Sequence, residues 1–169
     1  MLMIQHLVGA LVTLTVVLAM AIDVATFRIP NAFPGTLVLL FYCGAVVSSH
    51  PVDWLGHMGA GFLVLALAAA CFAFGYLGGG DAKLVAGVSL WFGWELLPDY
   101  LIIVGLIGGV FGGALLLIRR YAPLSEPYWF RLGLSLPRVL RPGEAVPYGL
   151  AIGAAALTLM ATSGSFGGP

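Results

Sequence analysis

Six apolar stretches, separated by brief polar breaks, leave this chain almost no route to a water-soluble fold. They run over about 3–22, 33–49, 57–77, 82–97, 99–118 and 147–163, and a helix needs roughly 17–25 apolar residues to cross a bilayer. Hydrophobic residues make up 61% of the chain and charged ones 8%, against about 25% charged in an average soluble domain. That is too little charge to coat a surface facing water. Backbone groups in lipid must pair within their own segment, so helices are expected, and no apolar/polar alternation suggests a barrel. The fold class predicted is all-α: a single domain over 1–169, built as a polytopic membrane bundle of about six transmembrane helices. No basic residue precedes Arg28 and no clean small-x-small cleavage site follows the first stretch. That stretch therefore reads as a retained helix and not a signal peptide.

The charges orient the bundle. The seven basic residues are Arg28, Lys83, Arg119, Arg120, Arg131, Arg138 and Arg141. With six spans, all of them fall at the breaks after the first, third and fifth. By the positive-inside rule those breaks are cytoplasmic and both termini lie outside, as in a multi-pass protein of the bacterial inner membrane. Trp91 and Trp94, beside Glu95 and Asp99, suit an outer interfacial belt. Gly105, Gly108, Gly109, Gly112 and Gly113 suit close helix packing. Segment 119–146 reads as a cytoplasmic loop lying on lipid headgroups, apolar side chains down and arginines out. The terminal Gly-Ser tail is expected to fray.

Seven acidic residues balance the basic ones to a net charge of zero, so nothing points to nucleic acid. Cys43 and Cys71 lie alone in apolar runs without a CxxC or Cys/His cluster, which suits buried or lipid-facing thiols and gives no metal site. His6, His50 and His57 fall in or near outer regions. Asp53, Glu95 and Asp99 lie where outer water is available, and Glu126 lies in the cytoplasmic loop. Asp23 closes the first span, Asp81 opens the fourth, and Glu144 precedes the sixth. Topology alone sets Asp23 and Asp81 at the same depth on the same side. Two carboxylates that close can share one proton, because like charges a few ångströms apart do not both ionise readily. The ionised member can draw a proton from water while the protonated one hydrogen-bonds a carbonyl under attack. That is peptide hydrolysis without a covalent intermediate, metal or other cofactor. Gly78, Gly79 and Gly80 before Asp81 would allow positive φ and close approach of a substrate strand. The plain alternatives are an N-cap at Asp81 and a water-boundary residue at Asp23.

Gly78-Gly79-Gly80-Asp81-Ala82-Lys83-Leu84 resembles the GxGD-x-K-L signature of the type IV prepilin peptidases, a family of membrane aspartic proteases. Asp23-Val24-Ala25-Thr26-Phe27-Arg28-Ile29-Pro30-Asn31 resembles that family's other motif, an aspartate ending a core helix followed by Arg-Ile-Pro-Asn. Pro147-Tyr148-Gly149-Leu150-Ala151-Ile152 resembles its Pro-Tyr-Gly opening to the last helix. The resemblance implies that Asp23 and Asp81 form a catalytic dyad, with Gly78, Gly80, Lys83, Arg28 and Asn31 in support. It implies a prepilin substrate, whose short basic leader is cut just before its hydrophobic helix at the cytoplasmic edge. Larger members carry an N-terminal region with paired CxxC motifs and add N-methylation. With no CxxC and nothing ahead of the first span, this chain is expected to resemble the compact branch that processes Flp-type prepilins, without methyltransfer. Arg28 is expected to meet phosphate headgroups, and Glu144 to pair with nearby arginines.

Two other classes compete. Paired membrane carboxylates also serve small proton- or cation-coupled transporters, whose sites sit near the bilayer midplane and not at its edge. A non-catalytic pilus or secretion assembly factor would use the glycine-rich helices as a binding surface.

Overall fold

The computed structural model describes residues 2–49, 51–141 and 143–163. The helices are α1 (Leu2–Thr26), α2 (Ala32–Val47), α3 (Trp54–Ala73), α4 (Gly79–Tyr121), α5 (Glu126–Arg131) and α6 (Tyr148–Ser163), with 3-10 turns at Ala122–Ser125 and Arg138–Leu140. Met3–Thr26, Trp54–Ala73 and Gly79–Arg131 are long and apolar enough to cross a membrane, while α2 and α6 are apolar helices of 16 residues. Leu7, Leu14, Leu39, Phe62, Leu106 and Val110 lie exposed around the outside, an apolar coat that suits lipid and not water. The molecule is an all-α, multi-pass membrane protein. His50 and the Gly-Ser tail fall outside the described residues.

α4 is 43 residues long, yet it is not one rod. Gly93 has φ 59° and ψ −168°, a conformation glycine takes without steric cost. A straight helix would hold Asp81 and Gly108 about 40 Å apart at 1.5 Å per residue. Instead, Tyr148 packs on Gly108 and Gly112, and the next residue, Gly149, meets the carboxyls of Asp23 and Asp81. The rings of Phe92 and Tyr100 also meet, at 5.0 Å. The chain therefore doubles back at Gly93 into two arms, 79–92 and 94–121. Close to the reversal, His57 Nδ1 meets the Leu90 carbonyl at 2.8 Å. The break expected at Pro98 is thus displaced to Gly93. Proline's fixed φ fits a helix, and Pro98 is carried inside the second arm.

The first arm is the centre of the bundle, with residues 84–93 all buried. Gly61 of α3 packs on Ala86 and Leu90, and Gly87 packs on Pro34 and Leu37 of α2. Trp91 corrects the interfacial expectation: it is 8% exposed, and its Nε1 donates to the Leu37 carbonyl at 3.1 Å. Trp94 is half exposed and covers Gly59. Of the five glycines of the second arm, only Gly108 and Gly112 meet a neighbour. Gly105, Gly109 and Gly113 face open space. Cys43 and Cys71 are exposed free thiols.

Segment 119–146 departs from its expected shape at its first residue. α4 continues through Tyr121, and Arg119 turns inward, 5% exposed. Beyond it, Leu124, Tyr128, Phe130, Leu132 and Leu134 are exposed, interleaved with exposed Arg131.

Candidate active site

α1 carries Asp23 in its last turn, 3% exposed. The helix ends because Phe27 takes φ 56°, a left-handed conformation uncommon outside glycine. Arg138 holds that residue from outside, its guanidinium 4.9 Å from the Phe27 ring centroid. The left-handed turn throws residues 28–31 across the start of α4. Ile29 is buried there against Gly80. A Cβ on Gly80 would fall 2.8 Å from the Ile29 carbonyl oxygen.

This contact revises the role of the glycines. None of Gly78, Gly79 and Gly80 has positive φ, and their neighbours belong to the chain itself. Gly80 admits the Ile29 backbone, Gly79 faces the Phe72 ring, and Gly78 faces the Asp81 carboxylate. Asn31 and Lys83 close the same crossing from outside, with Lys83 Nζ donating to Asn31 Oδ1 at 2.8 Å. Arg28 is exposed, and Glu144 pairs through Oε2 with Arg138 Nε at 3.2 Å.

Asp81 lies in the first turn of α4, whose N-cap is Gly78 and makes no side-chain cap bond. From the third helical position its carboxylate reaches back toward the Gly78 amide, as a carboxylate there commonly does. The carboxyl also lies within electrostatic range of Asp23 and beside the Gly149 amide. Gly149 is the second residue of α6, and its N–H donates to Asp23 Oδ2 at 2.8 Å. A Cβ there would fall 2.7 Å from the same oxygen and 2.8 Å from Ile29 Cδ1, so any larger residue must displace the Asp23 carboxylate or the Ile29 side chain. Asp81 Oδ1 is buried and has no hydrogen-bond partner among the described residues. Buried polar atoms are rarely left so, and one here leaves an acceptor free for a water or a substrate group.

Three stretches far apart in sequence therefore meet at one point: the end of α1, the start of α4 and the start of α6. The structure brings together Asp23, Asp81, Gly78 and Gly80, with Asn31 and Lys83 linked at the rim. Gly149 was legible as part of a motif, but its role as the amide that donates to Asp23 beside Asp81 was not. A glycine one residue past the start of a helix, just after a proline, is the signal that marks it. Among the described residues, no group of three His, Cys, Asp or Glu side chains could hold a metal.

Comparison with known proteins covers two of these three stretches, the end of α1 and the start of α4. Residues 10–113 match the model of the type IV leader peptidase family. The prepilin leader peptidase/N-methyltransferase of Pectobacterium carotovorum subsp. carotovorum is 34% identical over 108 residues, 59% of this chain and 38% of that protein. Proteins of the same description from Aeromonas salmonicida and Aeromonas hydrophila are 42% and 40% identical over 45 residues, 27% of this chain and 16% of each. The chain thus spans well under half the length of these curated relatives, and no solved structure matches it. The matched region is more than half of the chain and contains both carboxylates of the site: this protein belongs to the type IV leader peptidase family.

Proposed function

We propose that this protein is a membrane aspartic endopeptidase that removes the leader from Flp-type prepilins, with Asp23 and Asp81 as its catalytic dyad. The observation that carries this reading is the meeting of the two carboxyls around the Gly149 amide, with Asp81 Oδ1 buried and unpartnered. Such a pair acts when it holds one proton. The ionised member takes a proton from a bound water, whose oxygen attacks the scissile carbonyl carbon. The protonated member donates to the carbonyl oxygen as it gains charge. Collapse of the tetrahedral species breaks the C–N bond, the amine nitrogen leaves with a proton, and the pair returns to its shared state.

Topology completes the proposal. Each helix of α1, α2, α3 and α6, and each arm of α4, is read as one crossing of the inner membrane, with both termini outside. The dyad then lies at the cytoplasmic edge. The exposed row Leu124, Tyr128, Phe130, Leu132 and Leu134 rests in the headgroups, with Arg131 toward anionic lipid. The test is incubation of the purified protein, in liposomes, with a prepilin of this class. Mass spectrometry should find one cut between the basic leader and the hydrophobic helix. Intact prepilin, or a cut inside the helix, would refute the reading.

A further inference from the structure

Arg119 is a buried guanidinium that pairs with no carboxylate among the described residues. Its Nε donates to the Val139 carbonyl at 2.9 Å, and its two terminal nitrogens donate to the carbonyls of Glu144 at 2.6 Å and Ala145 at 2.9 Å. The Glu144 carboxylate is turned to Arg138 instead. Burying a charge is costly unless it is paired or fully hydrogen-bonded, and an apolar side chain would fill the same space at less expense. Whatever keeps an arginine here concerns the three carbonyls it holds.

Val139 belongs to the 3-10 turn Arg138–Leu140, while Glu144 and Ala145 belong to the irregular run that feeds directly into α6. Pro147 is buried, Tyr148 begins the helix, and Gly149 presents its amide to Asp23. Only three residues separate Ala145 from Gly149. Arg119 stands on the same face of the second α4 arm as Gly108, Gly112 and Leu115, at helical spacings of four, three and four, and all four are buried. Gly108 and Gly112 seat Tyr148. One face of α4 thus fixes the segment at both ends, the glycines under Tyr148 and Arg119 under Val139, Glu144 and Ala145.

We infer that Arg119 is a positioning residue for the dyad: by holding the carbonyls of Val139, Glu144 and Ala145 it delivers the Gly149 amide to Asp23. This rests on the peptidase reading above. The residue lies beyond the 10–113 region that matches the family, and it acts through the peptide backbone without touching the reacting atoms.

The test uses the full chain in liposomes with a prepilin, comparing wild type, Arg119→Gln, Arg119→Lys and Asp81→Asn. Gln cannot span the three carbonyls. Lys keeps the charge but has no fork. Misplacement of a catalytic group by about 1 Å can cost as much as 100-fold in rate. Arg119→Gln should lower kcat about tenfold or more with KM within about twofold, and Arg119→Lys should fall between it and wild type. A wild-type kcat in folded Arg119→Gln, or a loss confined to KM, would overturn the inference. If Arg119→Gln does not fold, Arg119→Lys decides: a reduced kcat at unchanged KM supports the role and an unchanged kcat overturns it. Cleavage by wild type but not by Asp81→Asn keeps the peptidase reading intact whatever Arg119 does. If wild type fails to cleave, both fall.

Discussion

Gly79 and Gly80 are chemically identical neighbours for which the structure forecasts opposite outcomes on substitution by alanine. In both cases alanine relieves glycine's helical penalty, worth about 0.5–1 kcal/mol in an interior position. At Gly79 the new Cβ would lie 3.3 Å from Phe72 Cε2, the far end of a half-exposed ring that can swing away. At Gly80 it would lie 2.8 Å from the Ile29 carbonyl oxygen and 2.9 Å from Ile29 Cβ, backbone-anchored atoms of a buried residue. Reaching an ordinary contact near 3.4 Å requires the 28–31 crossing to retreat by about half an ångström. Overpacking of this kind costs about 1–3 kcal/mol, which the helical gain offsets only in part. Stability should fall by about 0–2 kcal/mol, while activity falls further, because Ile29 follows Asp23 by six residues and its side chain packs beside Gly149. Gly80→Ala should cut the cleavage rate about tenfold or more, with Gly79→Ala within about twofold of wild type. The assay is the initial rate of prepilin cleavage alongside thermal unfolding in the same detergent. Equal damage from the two variants, or a wild-type rate in folded Gly80→Ala, would refute the packing explanation.

The remaining expectations concern the rim, the topology and the chemistry. Lys83→Met removes the 2.8 Å bond to Asn31, an exposed contact worth about 0.5–1.5 kcal/mol; cleavage should drop a few-fold, and Asn31→Ala should match it, as a double-mutant cycle would show. With Cys43 and Cys71, both exposed, first replaced by serine, a cysteine at Ser135 should react with an impermeant maleimide only after cells are opened, and one at Asp53 in intact cells. Labelling of position 135 from outside would invert the protein. Activity should survive metal chelators and serine reagents, because the two carboxyls supply both acid and base; loss reversed by adding a divalent cation would contradict that.

Much of this molecule was legible because lipid restricts the options so severely. Apolar length and charge position set the helices and gathered Asp23 and Asp81 at one end without any coordinates. The boundaries went wrong where backbone conformation outranked hydropathy. Pro98 looked like the break in α4, but the reversal needs positive φ and occurs at Gly93, with His57 bonded to the nearby Leu90 carbonyl. Trp91 looked interfacial by composition, yet it lies on the central arm. The glycine run before Asp81 was read as allowing positive φ, which none of the three takes, and the backbone that packs tightest on it is Ile29 of the same chain. Arg119 was counted as one of several surface arginines, since sequence does not show that a charge at a helix end is turned inward on three carbonyls. Gly149 and Arg119 owe their roles to contacts across twenty positions or more, which no local pattern encodes.

The central claim is that Asp23 and Asp81 act together as one chemical unit, and single replacement of each tests it most directly. Asp23→Asn, Asp81→Asn and the double variant should be compared for prepilin cleavage in liposomes, with unfolding measured on the same preparations. Groups that work as a unit lose nearly everything when one is removed. Each single variant should therefore fold, bind prepilin and cleave at less than a few per cent of the wild-type rate, with the double variant no worse by more than the error of measurement. A single variant that retained substantial cleavage, or singles whose losses multiplied in the double, would contradict the dyad.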